Sequence, residues 1–262
     1  MHGTMLPTVF LAHGSPMLAV ENNAYTEAIG QLASSLPRPR GIVVFSGHYE
    51  TIVPTVNETQ RYEMIYDFYG FPDDLYRIQY PAVGDAHLAQ RIERLLHSQS
   101  ISYEVERGRG LDHGAWVILR LLYPKADIPV VTMSVTPGLL PREQYRLGQA
   151  LADLRADDVL IVGSGGTVHN LRAIMWESDA VANWAESFDR WLEPVLKKWD
   201  LDALFDFRQQ APGADLAVPR RGEEHFIPLL YAMGAADRTR HAKRLHLSYR
   251  YGTLSHSIWL FE

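Results

Sequence analysis

The stretch VLIVGSGGTVHN, residues 159–170, has the pattern of a buried strand that leads through a glycine-rich loop to a histidine. Val159–Val162 is short, rich in β-branched residues and followed by glycine, which predicts a strand buried on both faces. The loop places His169 beyond the carboxyl end of this strand. In open α/β sheets, ligands bind at that edge.

Two other histidines have the same context earlier in the chain. His13 follows the apolar run Thr8–Ala12, and His48 follows Ile42–Ser46. If the three strands are parallel neighbours, their histidines meet in one crevice at the sheet edge.

Two more histidines stand where predicted helices begin. They are His113 in GLDHG, residues 110–114, and His225 in RGEEHF, residues 221–226. The other six of the eleven histidines are predicted to be structural or surface residues: His2, His87, His97, His241, His246 and, in the last predicted strand, His256.

Apolar runs alternate with helical periodicity along the whole chain. This pattern predicts a single α/β domain, residues 1–262, with a central mixed or mostly parallel sheet flanked by helices. A fourth strand is predicted over Ile128–Val135. The predicted helices are Asp85–Ser98 with Asp85 as N-cap, Trp116–Tyr123, Pro141–Leu154, Val181–Trp199 and Phe226–Met233. The aromatic-rich segment Thr59–Pro81 follows neither the period of a helix nor the alternation of a strand. This predicts a long ordered loop.

Composition excludes several classes of function. The net charge is −6 and the basic residues are scattered, so we expect no nucleic-acid surface. The chain has no cysteine, so a metal must be held by His, Asp or Glu. No apolar run approaches the ~20 residues that span a bilayer, and no signal pattern begins the sequence, so we expect a cytoplasmic protein without a membrane anchor.

A cluster of neutral imidazoles suits zinc, copper, nickel or iron. Such a site with few carboxylates leaves coordination positions open, for water at zinc or for substrate and oxygen at iron. A histidine outside the ligand set serves well as a general acid or base because its pKa is near neutral. The signatures of zinc proteases, of α/β-hydrolase nucleophiles and of P-loop nucleotide binding are absent from the sequence.

Six blocks, in order along the chain, resemble the class III extradiol ring-cleavage dioxygenases, the family of the protocatechuate 4,5-dioxygenase catalytic subunit. Within that family the chain looks most like the branch of 4,5-DOPA extradiol dioxygenases. The blocks are FLAHGSPM (10–17), VFSGHYE (44–50), YDFYGFP (66–72), RGLDHGAW (109–116), VGSGGTVHN (162–170) and PRRGEEHF (219–226).

The resemblance implies an α/β sandwich whose metal lies in a crevice at the carboxyl ends of the strands. It also implies Fe(II) for activity, with His13, His48 and His225 as ligands and a small catechol and O2 as substrates. His169 matches the acid–base histidine or serves as a fourth ligand, and His113 matches a histidine that contacts substrate. The third ligand of ring-cleaving relatives is usually Glu, so His225 leaves zinc open as the bound metal.

Two other functions remain open at this point. The first is a zinc-dependent hydrolase on the same scaffold, in which Glu223 or Glu224 assists a metal-activated water. The second is a metal-binding relative without catalytic activity. A plain α/β domain with scattered histidines is the alternative without a functional site.

Overall fold

The computed structural model describes residues 5–178 and 180–262, so His2 lies outside the described residues. Within these described residues, eight strands form one mixed sheet in the order β4-β3-β5-β2-β6-β1-β8-β7. The strands are β1 (Thr8–Ala12), β2 (Gly41–Glu50), β3 (Thr55–Asn57), β4 (Glu104–Glu106), β5 (Val130–Val135), β6 (Val159–Gly165), β7 (Ala242–Arg250) and β8 (Leu254–Phe261). This confirms the predicted fold class.

The four strands predicted with stated bounds are the parallel centre of the sheet. Strand β6 pairs in parallel with β2 on one side and with β1 on the other, and β5 pairs in parallel with β2. The outer pairings of β3 with β5, β8 with β1, and β7 with β8 are antiparallel. The carboxyl ends of β1, β2 and β6 therefore meet at one edge, as their histidines require.

Helices cover both faces of this sheet. They are α1 (Ala24–Ser35), α2 (Ala86–Ser98), α3 (His113–Leu122), α4 (Pro141–Ala150), α5 (Asn183–Lys197), α6 (Leu201–Phe205), α7 (Phe207–Gln210), α8 (Ala214–Ala217) and α9 (Ile227–Ala235). Helices α1 and α3 pack on one face of the central strands, and α2, α4 and α9 pack on the other. In the described part of the chain, no helix is both long and apolar enough to cross a bilayer.

The predicted elements exist, but several boundaries differ. The helix predicted over Pro141–Leu154 ends at Ala150 and continues as a 3-10 turn, whereas the one predicted from Trp116 begins earlier, at His113. Asp85 caps α2 as predicted, because its side chain accepts a hydrogen bond from the Leu88 amide. Helix α1, the short helices α6–α8 and the outer strands β3, β4 and β7 are not among the elements predicted from the sequence.

The prediction that His48 follows the end of its strand is wrong in detail. Strand β2 continues to Glu50, so His48 lies inside it. Its parallel pairing with β6 ends at Ser46, and its register with β5 shifts between Phe45 and Glu50. This irregularity resembles a bulge, which re-aims side chains at the edge of a sheet. His48 therefore still reaches the crevice.

Helices α4 and α9 approach each other closely at two glycines. A methyl group added to Gly148 would overlap the carbonyl oxygen of Tyr231, and one added to Gly234 would overlap that of Tyr145. Both helices therefore pack backbone against backbone beneath the sheet.

We expect Gly148→Ala to lower the free energy of unfolding by about 1–3 kcal/mol, because the added methyl forces the helices apart. Gly30→Ala is the matched control, since Gly30 also lies in a helix but has open space around it. That substitution should raise stability by about 0.5–1 kcal/mol through helix propensity. The free energy of unfolding of both variants, measured in urea, tests this. Equal changes in that free energy for the two variants would contradict the close helix contact.

Candidate metal centre

Three histidines from different parts of the chain bring their Nε2 atoms together. His13 directly follows β1, His48 lies near the end of β2, and His225 ends the 3-10 turn Glu223–His225 before α9. The Nε2 atom of His48 is 3.1 Å from that of His13 and 3.2 Å from that of His225. His13 and His225 are buried, and the ring of His48 is partly exposed.

Gly114, at the start of α3, makes room for this packing. A Cβ atom at this position would lie 3.0 Å from the His48 ring, 3.1 Å from Nδ1 of His13 and closer still to the Ser46 hydroxyl. A larger residue would therefore overlap the Ser46 hydroxyl and crowd two of the three histidines.

Each of these rings presents its Nδ1 atom to an oxygen acceptor. Nδ1 of His13 is 3.0 Å from the Ser164 hydroxyl, which donates its own proton to the Gly114 carbonyl. Nδ1 of His225 is 3.0 Å from a Glu224 oxygen, and Nδ1 of His48 is 3.3 Å from an Asp67 oxygen. The Nδ1 atoms are then the protonated ones, which leaves a lone pair on every converging Nε2.

The electrostatics favour neutral rings. Burial, together with the neighbouring histidines, lowers the pKa of His13 and of His225 well below the usual value. The pKa of His48 is lowered to about 4, mainly by burial and next by the nearby His113. At neutral pH, three lone pairs therefore point at one another, and a cation between them would remove their repulsion.

The donor set fits a transition metal such as iron or zinc. Three nitrogens at about 2.0–2.1 Å from one ion are about 2.9 Å apart when the nitrogen–metal–nitrogen angles are right angles. They are about 3.3 Å apart when the angles are tetrahedral. The observed separations of 3.1 and 3.2 Å lie between these limits. The spacing is therefore compatible with either geometry and leaves the identity of the metal open.

The other two predicted site histidines lie beside the three. The ring of His113 is 4.1 Å from that of His48, centroid to centroid. The ring of His169 stacks on that of His225 at 3.6 Å with an angle of 6° between the planes. One nitrogen from each of His13, His169 and His225 lies within 4.8 Å of the others, and the same holds for His13, His48 and His113.

His169 is neutral in this environment. Burial lowers its pKa to about 3, and His48 and His113 add to this effect. Its backbone amide is anchored by the carbonyl of Ala217. A neutral imidazole fixed beside the cluster can either accept a proton or donate a lone pair to a metal.

In the described part of the chain, none of the histidines predicted to be structural belongs to the two groups that could hold a metal ion. His256 is buried in β8, where its ring stacks on Tyr25 at 4.7 Å, and burial lowers its pKa to about 4. His87 and His97 lie on α2, while His246 lies on β7.

Sequence reasoning missed two residues that hold the cluster in place, Asp67 and Ser164. Ser164 lies inside β6 among small residues and carries no distinguishing pattern. Asp67 stands between the aromatic residues Tyr66 and Phe68 in the aromatic loop, residues 59–81, and that setting was the available signal. Burial by itself raises the pKa of Asp67, but the hydrogen bonds and charges of His113 and His48 outweigh it and lower this pKa to about 2.

The predicted aromatic loop exists, apart from a 3-10 turn over Asp73–Arg77, and it lies against the cluster. The ring of Phe68 stands edge-on to His113, 5.7 Å away, and packs against Tyr76 and Trp116. The loop therefore supplies an apolar wall beside the histidines.

A cavity of about 530 Å³ lies next to the cluster and has charged walls of both signs. Glu224 belongs to this cavity and to the histidine site, because it accepts the hydrogen bond from His225. Burial raises the pKa of Glu224, and the carboxylates of Glu50 and Glu223 act in the same direction. The lining residues are Glu50, Pro137, Gly138, Arg220, Arg221, Glu223 and Glu224.

Comparison with known proteins yields several relatives that match nearly the whole chain. A 4,5-DOPA dioxygenase extradiol from Beta vulgaris is 41% identical over 259 residues, which cover 97% of this chain and 96% of the relative. Another protein of that name, from Escherichia coli (strain K12), is 38% identical over 242 residues, covering 90% and 88%.

The fold has a solved counterpart. A crystal structure of an uncharacterized protein from Escherichia coli K12 superposes with a TM-score of 0.84 at 33% identity, covering 98% of this chain and all of that one. The family model described as the catalytic LigB subunit of aromatic ring-opening dioxygenase matches residues 7–262. This chain therefore belongs to the family of the catalytic LigB subunit of aromatic ring-opening dioxygenases, as its six sequence blocks predict.

Proposed function

We propose that this chain is an extradiol dioxygenase that uses Fe(II), held by His13, His48 and His225, to open the ring of a DOPA-like catechol. The observation that carries the ligand assignment is the convergence of three Nε2 atoms whose partner nitrogens all face oxygen acceptors. The ring-opening activity itself follows from the family, which confirms the prediction from sequence. The identity of the metal, the roles of the residues and the substrate belong to the proposal.

A bound ferrous ion supplies Lewis acidity for an ionised catechol and the redox chemistry that O2 requires, which d¹⁰ zinc lacks. Both atoms of O2 enter the product, an open-chain semialdehyde that also carries a carboxylate. The reaction therefore balances without an external reductant. The task of the protein residues is to place the catechol, move its protons and exclude water.

His169 is suited to move a proton between catechol and product. Its neutral ring is fixed against His225, so it stands beside any ligand held by the cluster and accepts a proton from a catechol hydroxyl. Returning that proton during ring opening restores the starting state. His113, whose Nδ1 is held 2.9 Å from Asp67, presents Nε2 on the side of His48 and serves to contact the substrate.

The surroundings of the cluster suit a catechol with an amino-acid side chain. Phe68 and its aromatic neighbours offer a flat ring an apolar wall beside His113. The adjacent cavity has carboxylates for an ammonium group and arginines for a carboxylate. Relatives at 36–41% identity that are named for DOPA support the same class of substrate.

The hydrolase alternative is weakened by where the two glutamates lie. Glu224 is occupied by Nδ1 of His225, on the side of the ring opposite Nε2. Glu223 pairs with Arg208 at 2.5 Å. Neither carboxylate is therefore placed to activate a water at the converging nitrogens.

The decisive experiment follows O2 consumption after the apoprotein is reconstituted anaerobically with Fe(II) and given L-DOPA. We expect one O2 consumed per DOPA, in step with a yellow semialdehyde, and no consumption by the zinc-loaded protein. 4-Methylcatechol, which lacks the amino-acid group, should show a higher KM. Oxygen-independent turnover by the zinc-loaded protein would favour the hydrolase. Bound iron without O2 consumption in the presence of any catechol would favour a non-catalytic relative.

The ligand assignment predicts that His13→Ala, His48→Ala and His225→Ala each lose bound metal, because two imidazoles hold an ion far more weakly than three. Metal content after dialysis, measured by elemental analysis, tests this. His87→Ala, at an exposed position on α2, is the control and should keep the full metal content. A ligand variant with unchanged stoichiometry would overturn the assignment of that residue.

The acid–base role predicts that His169→Ala keeps its metal but loses about 10²–10⁴-fold in kcat, the usual size of a general acid–base contribution. Metal content and steady-state O2 uptake are measured on the same sample. His246→Ala, on β7, serves as the control for loss of a histidine. Loss of the metal together with activity would instead make His169 a fourth ligand.

A further inference from the structure

Asp67 contacts two histidines of the site at once, and nothing in the proposed reaction uses it directly. One of its carboxylate oxygens, Oδ1, is 2.9 Å from Nδ1 of His113 and also accepts the backbone N–H of His113 at 2.9 Å. The other oxygen, Oδ2, is 3.3 Å from Nδ1 of His48. A single carboxylate therefore faces three donors on two elements, β2 and α3.

The aromatic loop holds this carboxylate firmly. The Tyr66 hydroxyl donates to the carbonyl of Ile78 at 2.6 Å, and the Trp116 indole donates to the carbonyl of Ile65 at 3.3 Å. On the other side, Phe68 packs against Tyr76 and Trp116. The residues flanking Asp67 are thus anchored on both sides, although its side chain is 24% exposed.

From this geometry we infer that Asp67 is a positioning residue that fixes the tautomer of His48 and the orientation of His113. The inference rests on the proposed function, because it takes His48 as a metal ligand. A carboxylate opposite Nδ1 requires that nitrogen to carry the proton, so the lone pair of His48 stays on Nε2, the atom that faces His13 and His225. The long aromatic loop thereby contributes to the metal centre as well as to the wall of the substrate pocket.

Asparagine at this position separates the two roles. The amide keeps one acceptor oxygen, which remains opposite the two donors of His113, and places its NH2 group opposite Nδ1 of His48. That contact is satisfied only if Nδ1 of His48 becomes the acceptor, which moves the proton to Nε2 and removes the lone pair from the metal side. Asp67→Asn therefore weakens metal binding through His48 while His113 stays in place, whereas Asp67→Ala releases both histidines.

The first test measures the zinc affinity of the purified apoprotein by competition with a chromophoric chelator. We expect the Kd of Asp67→Asn for zinc to be about 10–100-fold weaker, the usual cost of losing the partner of a metal-binding histidine. The unfolding midpoint of the apoprotein should stay close to that of the wild type. Asp237→Asn is the matched control, since Asp237 is 19% exposed and accepts hydrogen bonds from Tyr145 and Gln149 away from the site.

The second test measures kcat and KM at saturating Fe(II) for both variants. Asp67→Ala should have a kcat at least about 10-fold below that of Asp67→Asn, because only the alanine variant frees His113. Equal zinc affinity of Asp67→Asn and wild type, or equal kcat of the two variants, would overturn the positioning role. A wild-type protein that binds no zinc would overturn the metal centre itself and this inference with it.

Discussion

The site depends on one constraint: in a mostly buried place, Nε2 of His48 lies within 3.2 Å of Nε2 of both His13 and His225, so that unprotonated nitrogens face one another. Such an arrangement is unfavourable unless a cation takes the centre and something prevents the rings from turning. Ser164, Asp67 and Glu224 hold the opposite nitrogens and so keep the rings in this orientation. These contacts to the outer nitrogens therefore help to fix the orientation of the histidines.

The parallel centre of the sheet brings these groups together. Because β6 lies between β1 and β2, the segments that leave their carboxyl ends share one edge. Helix α3 starts at the same edge, where the Asp112 side chain caps it, accepts from the Ser46 hydroxyl and pairs with Arg109. The close approach at Gly114 then lets the start of this helix lie against both His13 and His48. Helix packing and the histidine cluster therefore use the same contact.

The aromatic loop connects the candidate metal centre with the proposed substrate pocket. Its aromatic rings form a satellite core around Trp116, and Asp67, which stands between Tyr66 and Phe68, projects to the histidines. Since the same short segment carries Phe68, a change in the loop alters the pocket wall and the ligand environment together. This arrangement gives a long irregular segment a physical reason to be ordered in an enzyme of this family.

The sequence by itself determined much of this protein: four central strands, five helices, the ordered loop, and the five histidines that meet at the site. Those features have local signals, because side-chain periodicity and glycine reflect the backbone of neighbouring residues. The absence of cysteine and the six ordered blocks further narrowed the chemistry to histidine-held metal and the family to ring-opening dioxygenases. Only the tertiary structure decided the strand order, the continuation of β2 through His48, and the choice of Asp67, Ser164 and Glu224 as hydrogen-bond partners. His13 and Ser164 are 151 positions apart, and His48 and His225 are 177 apart. Contacts over such separations depend on how the sheet assembles, and no local pattern in the sequence records which nitrogen of each ring will face the others.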